Sequence, residues 1–219
     1  MRQYIEIIKK SVLFKGLTEE EIIKAAEFFD AKETFFKKGQ YIYRPDESIK
    51  KIGLVLDGSV RIEKEDYYGN RTIMTSVSTG DIFGEVYACL GEIASGVSVI
   101  AEIDTKLFML DTGRIFMYNS SKEMFYYKVM HNLITVLASK AYMLNSKIEH
   151  ISKRTTREKL MSFLSQQAAE KKSSSFYIGF NRQELADFLC VDRSAMSSEL
   201  SKMKKEGIID YNKNYFKLL

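Results

Sequence analysis

The order of apolar and polar positions divides the chain into three textures. Residues 1–30 read as short helices, and Thr18-Glu19-Glu20-Glu21 supplies a capping hydroxyl followed by first-turn carboxylates, which suit the positive end of a helix. From about Ala31 to Ile115 the pattern shortens to β-type runs. The plainest are Glu33-Thr34-Phe35-Phe36, Ile52-Gly53-Leu54-Val55-Leu56, Ser59-Val60-Arg61-Ile62-Glu63, Arg71-Thr72-Ile73-Met74, Ser98-Val99-Ile100-Ala101 and Lys106-Leu107-Phe108-Met109. Gly39, Asp57-Gly58, Gly69-Asn70 and Gly80-Asp81 punctuate them. Many short strands at near-regular spacing predict a sandwich or barrel. With no wide helical insertions between them, a parallel βαβ sheet is not expected.

The third texture begins near Lys122. Met130, Ile134, Leu137, Ala141, Leu144, Ile148 and Ile151 alternate spacings of four and three, with no glycine or proline to interrupt them. That is the seam of a long helix that meets a copy of itself. The alternative is a single helix lying across the barrel, with Met130 and Leu137 as ordinary core. After the polar break Lys171-Lys172-Ser173-Ser174-Ser175 a compact terminal unit follows. Asn181-Arg182-Gln183-Glu184 has the spacing of a capping box, and Leu185, Ala186 and Leu189 form an apolar face. Cys190-Val191 turns the chain, and Asp192 caps a second helix that carries Met196, Leu200 and Met203 inward. Its other face shows Ser194, Ser197, Ser198, Ser201 and Lys205. Two short helices, a tight turn and small polar residues on the second helix predict a helix-turn-helix. Ile208 to Tyr211 and Tyr215 to Leu218, joined by Asn212-Lys213-Asn214, predict a hairpin wing.

Charge sharpens this picture. The net charge is +4, and residues 150–219 hold 13 Lys and Arg against 8 Asp and Glu, while residues 1–149 hold 20 against 21. The final third therefore carries the whole positive excess, which suits nucleic acid as a partner as well as a solvated basic surface. Serine hydroxyls on an exposed helix let a backbone approach base edges, and Arg193 has the fork that pairs with guanine O6 and N7. Arg182, Lys202 and Lys204 sit where phosphate contacts would position that helix.

Composition excludes several classes. The 219 residues, 45% of them hydrophobic, suffice for one large domain or two small ones. No apolar run reaches the ~18–20 residues of a membrane helix, since Lys140 interrupts the longest candidate, Leu133 to Leu144. The N-terminus lacks the apolar stretch of a signal peptide, and the two cysteines, Cys89 and Cys190, suit a reducing compartment, so the expected location is the cytoplasm. His131 and His150 lie nearly 30 Å apart at the rise of a helix, too far to share a metal. No Gly-x-Ser-x-Gly, Walker or His-Glu-x-x-His motif occurs, so catalysis is not expected.

Gly80-Asp81-Ile82-Phe83-Gly84-Glu85 is the other segment that stands out. Its glycines suggest a turn that exposes backbone N–H groups to an anion, with Glu85 able to accept from a ribose hydroxyl. A plain barrel corner is the alternative. Together with Ser11 to Thr18, Arg182-Gln183-Glu184-Leu185-Ala186 and Arg193 to Met203, this segment resembles the Crp/Fnr family of transcription regulators over nearly the whole chain. The resemblance implies an α+β chain: an N-terminal β jelly roll like a cyclic-nucleotide-binding barrel (1–118), a long dimerisation helix (119–150) and a C-terminal winged helix-turn-helix (151–219). It further implies double-stranded DNA with a two-fold symmetric site, a homodimer, RNA polymerase as a partner, and a small-molecule effector pocket. On this chain that pocket maps to Gly84, Glu85, Val86, Ser95, Gly96, Tyr142 and Met143.

Departures from the family pattern limit the effector. Cyclic-nucleotide-binding members place an Arg-Ser or Arg-Thr pair where this chain has Ser95 and Gly96. The purine-facing Thr-Ser pair of the long helix is replaced by Tyr142 and Met143. Cyclic AMP is therefore not the expected effector. An iron–sulfur cluster is not expected without cysteines among the first thirty residues, nor is haem with both histidines on the long helix. The effector stays unassigned. At the reading helix Arg193 matches the family, Ser194 stands for its Glu, Ser197 matches the small residue and Ser198 stands for its second Arg. The operator should therefore differ from that of the founding members. The alternative function is a cyclic-nucleotide-like ligand module that acts on a partner protein.

Overall fold

The structure is a computed structural model that describes residues 1–91, 93–114 and 123–219. The chain forms two compact units, Met1–Ala138 and Ser139–Leu219. The expected domain boundary at residues 118 and 119, the strand region's end at Ile115 and the start of the third texture at Lys122 lie outside the described residues.

The first unit opens with helices α1 (Ile5–Lys10) and α2 (Glu19–Phe28). Thr18 and Glu21 form a complete capping box on α2, each side chain bonded to the other's backbone N–H. Eight strands follow: β1 (Lys32–Phe36), β2 (Tyr41–Tyr43), β3 (Lys51–Asp57), β4 (Ser59–Glu65), β5 (Arg71–Ser78), β6 (Ile82–Phe83), then, after the short helix α3 (Glu85–Leu90), β7 (Ser98–Ala101) and β8 (Thr105–Asp111). They build two antiparallel sheets, ordered β1-β8-β3-β6 and β2-β7-β4-β5. Six of the eight strands are legible as apolar runs. The two missed, β2 and β6, are three and two residues long, too short for a period-2 pattern to emerge.

Val55, Val60, Val77, Phe83, Val99, Leu107 and Met109 fill the space between the sheets. The other face of the first sheet presents Ile52, Leu54, Leu56, Phe108 and Leu110 to Ile8, Leu13, Phe14, Ile22 and Phe29 of the N-terminal segment. Strand β3 is thus buried on both faces, which accounts for its unbroken apolar run. Gly53 is required there, because a Cβ would lie 2.2 Å from the Phe83 ring.

Helix α4 spans Met124–Ile151. Its first half closes the core of the first unit with Phe125, Val129 and Leu133, all buried. Lys128 pairs with both Glu21 oxygens at 2.8 Å, and the Asn132 amide donates to the carbonyls of Leu13 and Lys15. The apolar residues of α4 therefore fall on two adjacent stripes. One is buried in its own unit; the other is the four-three seam. Within that seam Met130 and Leu137 pack partly on the same core, as the single-helix alternative expects, while Ile134, Leu144 and Ile148 are half or more exposed in the chain.

The second unit contains α5 (Thr156–Lys171), β9 (Ser175–Tyr177), α6 (Arg182–Leu189), α7 (Arg193–Lys205), β10 (Ile209–Asn212) and β11 (Tyr215–Leu218). The segment that reads as a polar break ends in a strand: Ser175, Phe176 and Tyr177 pair with Lys217, Phe216 and Tyr215, adding a third strand to the wing. Its three residues carry only one buried side chain, Phe176, so sequence pattern gives little sign of it. Leu160, Phe163, Leu164, Leu185, Leu189, Met196, Leu200, Met203 and Phe216 form the core of this unit. His150, at the end of α4, is buried there; its Nδ1 lies 2.8 Å from Ser162 Oγ, and its ring stands edge-on to Phe163.

Candidate nucleic-acid interface

The reading motif is built by its caps. Asn181 Oδ1 accepts from the Glu184 N–H while Glu184 Oε2 accepts from the Asn181 N–H, which fixes the start of α6. Helix α6 ends at Cys190 in the left-handed region, with φ of 52°, and the Lys159 ammonium donates to the carbonyls of Leu189 and Cys190. The chain turns there and restarts at Asp192, whose Oδ1 accepts from the Ala195 N–H. The Ser194 hydroxyl also donates to Asp192, and these donors hold its carboxyl below the usual range.

On α7, Met196, Leu200 and Met203 are fully buried, which turns Ser194, Ser198 and Ser201 toward the other face with Ser197 at its edge, while Arg193 is exposed as the first residue of the helix. The hydroxyls differ in what they can offer. Ser197 donates to the Arg193 carbonyl at 2.9 Å and Ser201 to the Ser197 carbonyl at 3.0 Å. Arg193 and Ser198 are exposed, and Arg193 makes no ion pair among the described residues. Lys202 is exposed and lies 3.8 Å from Glu199, while Lys204 is paired with Asp210.

Arg182 departs from the expected phosphate contact. Its guanidinium lies 4.9 Å from the Tyr211 ring centroid and 5.0 Å from that of Phe216, and burial pulls its pKa down. It therefore joins α6 to the wing as a packed group. Arg157 is not among the residues the sequence singles out; its guanidinium reaches Glu199 on α7 with Nε and both oxygens of Glu206 with its terminal nitrogens, at 2.7 and 2.8 Å. Only its spacing ahead of two carboxylates far along the chain could have signalled it.

At Gly80 the barrel corner takes the plain form that was one of the two readings of its sequence. Ile82 and Phe83 are a buried strand, and the Gly80 N–H donates to the Val55 carbonyl at 2.8 Å, so that N–H is taken up by the sheet. Gly84 adopts φ of 82° to turn β6 into α3, and the Glu85 side chain is buried behind it while Val86 is exposed. Ser95 is also buried. Its hydroxyl donates to the Val97 carbonyl at 2.9 Å within its own loop, and Gly96 follows with φ of 61°. Arg44 lies over the Tyr41 ring, Arg61 is paired with the buried Glu63, and Arg114 donates to the Phe28 carbonyl. Tyr142 and Met143 are exposed residues of the other compact unit. Among the described residues no group of three His, Cys, Asp or Glu side chains could hold a metal ion, and no helix is long and apolar enough to cross a membrane.

Comparison with known proteins decides the family. Residues 33–117 match the cyclic nucleotide-binding domain, and residues 158–219 match the Crp-like helix-turn-helix domain, together about two thirds of the chain. The chain belongs to the Crp/Fnr family of transcription regulators. It is similar to the cyclic AMP receptor protein of Thermus thermophilus, with 24% identity over 202 residues, 92% of this chain and 89% of the relative. The crystal structure of the Thermus thermophilus catabolite activator protein matches its fold with a TM-score of 0.51 and 21% identity, covering 95% of this chain and 94% of that one. DNR from Pseudomonas aeruginosa gives a TM-score of 0.52 at 16% identity, covering 100% and 95%. This member of the Crp/Fnr family is therefore a DNA-binding transcription regulator with a sensor-type barrel, and not an enzyme.

Proposed function

We propose that this Crp/Fnr regulator acts as a homodimer that reads a two-fold symmetric DNA site with α7, and that its barrel responds to something other than cyclic AMP. One observation carries the reading-helix assignment. Arg193 opens α7 exposed at its first turn and, among the described residues, makes no ion pair. In a helix-turn-helix the first residues of the second helix reach the base edges. Ser197, one turn on, lies beside Arg193, Ser194 and Ser198 add exposed hydroxyls farther round the helix, and Lys202 supplies phosphate contact. Arg182 supports the site from behind, through the wing.

The dimer reading rests on the exposed part of the α4 seam. Ile134, Leu144 and Ile148 leave apolar surface on one stripe of a 28-residue helix, and such a stripe is stable when covered. The parts expected at 1–118, 119–150 and 151–219 then serve as sensor, dimer helix and DNA reader, with RNA polymerase as the partner that family membership suggests. An effector other than cyclic AMP is supported by the corner. The relative's name carries that ligand, but here Ser95 offers only a hydroxyl already donated to Val97, and Arg61 and Arg114 are engaged elsewhere.

Arg193→Ala tests the reading. Binding curves on a preferred duplex and a scrambled one should show a loss of about 1–3 kcal/mol per half-site on the preferred duplex alone. Equal losses on both duplexes would make Arg193 a phosphate clamp and would refute its role in base reading.

A further inference from the structure

The reading helix carries acid as well as base. Glu199 lies in its middle and Glu206 caps its end, where carboxylates would repel a phosphate backbone and draw neighbouring lysines to themselves. Both are held by one residue of a different helix. Arg157, in the first turn of α5, donates through Nε to Glu199 and through its two terminal nitrogens to Glu206. The fork raises the Arg157 pKa and holds the Glu206 carboxyl below its usual range. Glu199 is also the neighbour of Lys202, at 3.8 Å, whose side chain is 64% exposed.

We propose that Arg157 is a positioning residue for DNA reading: it pins the middle and the end of α7 to α5 and neutralises both carboxylates, leaving Lys202 to the phosphates. The proposal rests on the assignment of α7 as the reading helix. Two effects follow from the geometry. The fork fixes α7 at two points seven residues apart, so the helix is held against rotation about its axis, which sets where Arg193 points. The charge balance around α7 also changes with Arg157. Without the guanidinium, Glu199 has Lys202 as its nearest cation, and a lysine paired with a carboxylate releases no counterion at a phosphate.

The test uses the full chain, a duplex that the wild-type protein enriches from a random-sequence pool, and its scrambled form. Arg157→Ala should weaken the enriched duplex about tenfold or more and the scrambled one several-fold, with the salt slope reduced by about one counterion per subunit. Arg157→Lys keeps the charge but touches one carboxylate, so it should restore scrambled binding and leave discrimination low. Glu206→Gln should strengthen scrambled binding while lowering discrimination. If Arg157→Ala does not fold, the Lys and Gln variants carry the test. Discrimination and salt slope at wild-type values in the folded variants would overturn the proposal, leaving Arg157 a stabilising ion pair only. A wild-type protein that enriches no duplex would instead overturn the reading of α7, and the proposal with it.

Discussion

Arg182 and Lys202 both looked like phosphate contacts in the sequence, and their surroundings separate them. Arg182 is half-buried against Tyr211 and Phe216, so Arg182→Ala should lower stability by about 1–2 kcal/mol, seen as a lower melting temperature. A variant with the wild-type melting temperature and weaker DNA binding would return it to the phosphate role. Lys202→Ala should leave the melting temperature unchanged, weaken all duplexes alike and reduce the salt slope by about one counterion per subunit. Neither difference was legible beforehand, because both residues are basic and both flank the motif. The two cysteines divide in a similar way. Burial, and secondarily the nearby Glu85 charge, push the Cys89 thiol up, while Cys190 is exposed in the reading-motif turn. Alkylation of the native protein at neutral pH should therefore label Cys190 first, as mass spectrometry of the peptides would read; faster labelling of Cys89 would contradict this.

Elements were legible where a period or a cap runs long enough. Helices α2, α6 and α7 announce themselves by Thr18-x-x-Glu21, Asn181-x-x-Glu184 and Asp192, and each cap is made as expected. Strands β2, β6 and β9 are too short to show alternation, and the inward stripe Phe125, Val129, Leu133 of α4 lay hidden beside the more regular seam. The exposed seam carries its own test. Leu144→Lys places a charge where two copies would meet, at a cost of several kcal/mol if buried unpaired, and light scattering should then report monomers. A dimer of unchanged affinity would assign the stripe another role. Glu158, which accepts from the Thr155 N–H to cap α5, and Asp192 and Glu206 have folded pKa values below their ordinary ones. Their contribution is present above the unfolded carboxylate pKa and is lost as pH falls through the folded values. The melting temperature of the second unit should accordingly fall below about pH 4. A flat profile from pH 7 to 3 would contradict that.

At the scale of the whole molecule, the order of textures already gave barrel, long helix and winged helix-turn-helix, because each has its own hydrophobic period. The effector corner was less legible, since its chemistry depends on which N–H and hydroxyl groups the fold itself uses. Gly80 and Ser95 turn out to bond within the chain, which sequence spacing does not reveal. Calorimetric titration with cyclic AMP should therefore show no micromolar binding; heat that saturates in that range would require an arginine to leave its present partner for the corner. The central claim is that two copies of this chain read DNA together through α7. Selection of duplexes from a random-sequence pool by the wild-type protein, followed by sequencing, tests it most directly. The enriched duplexes should carry an inverted repeat whose half-sites lie about one helical turn apart, roughly 10 base pairs from centre to centre. Enrichment of a single asymmetric motif, or of none, would contradict it.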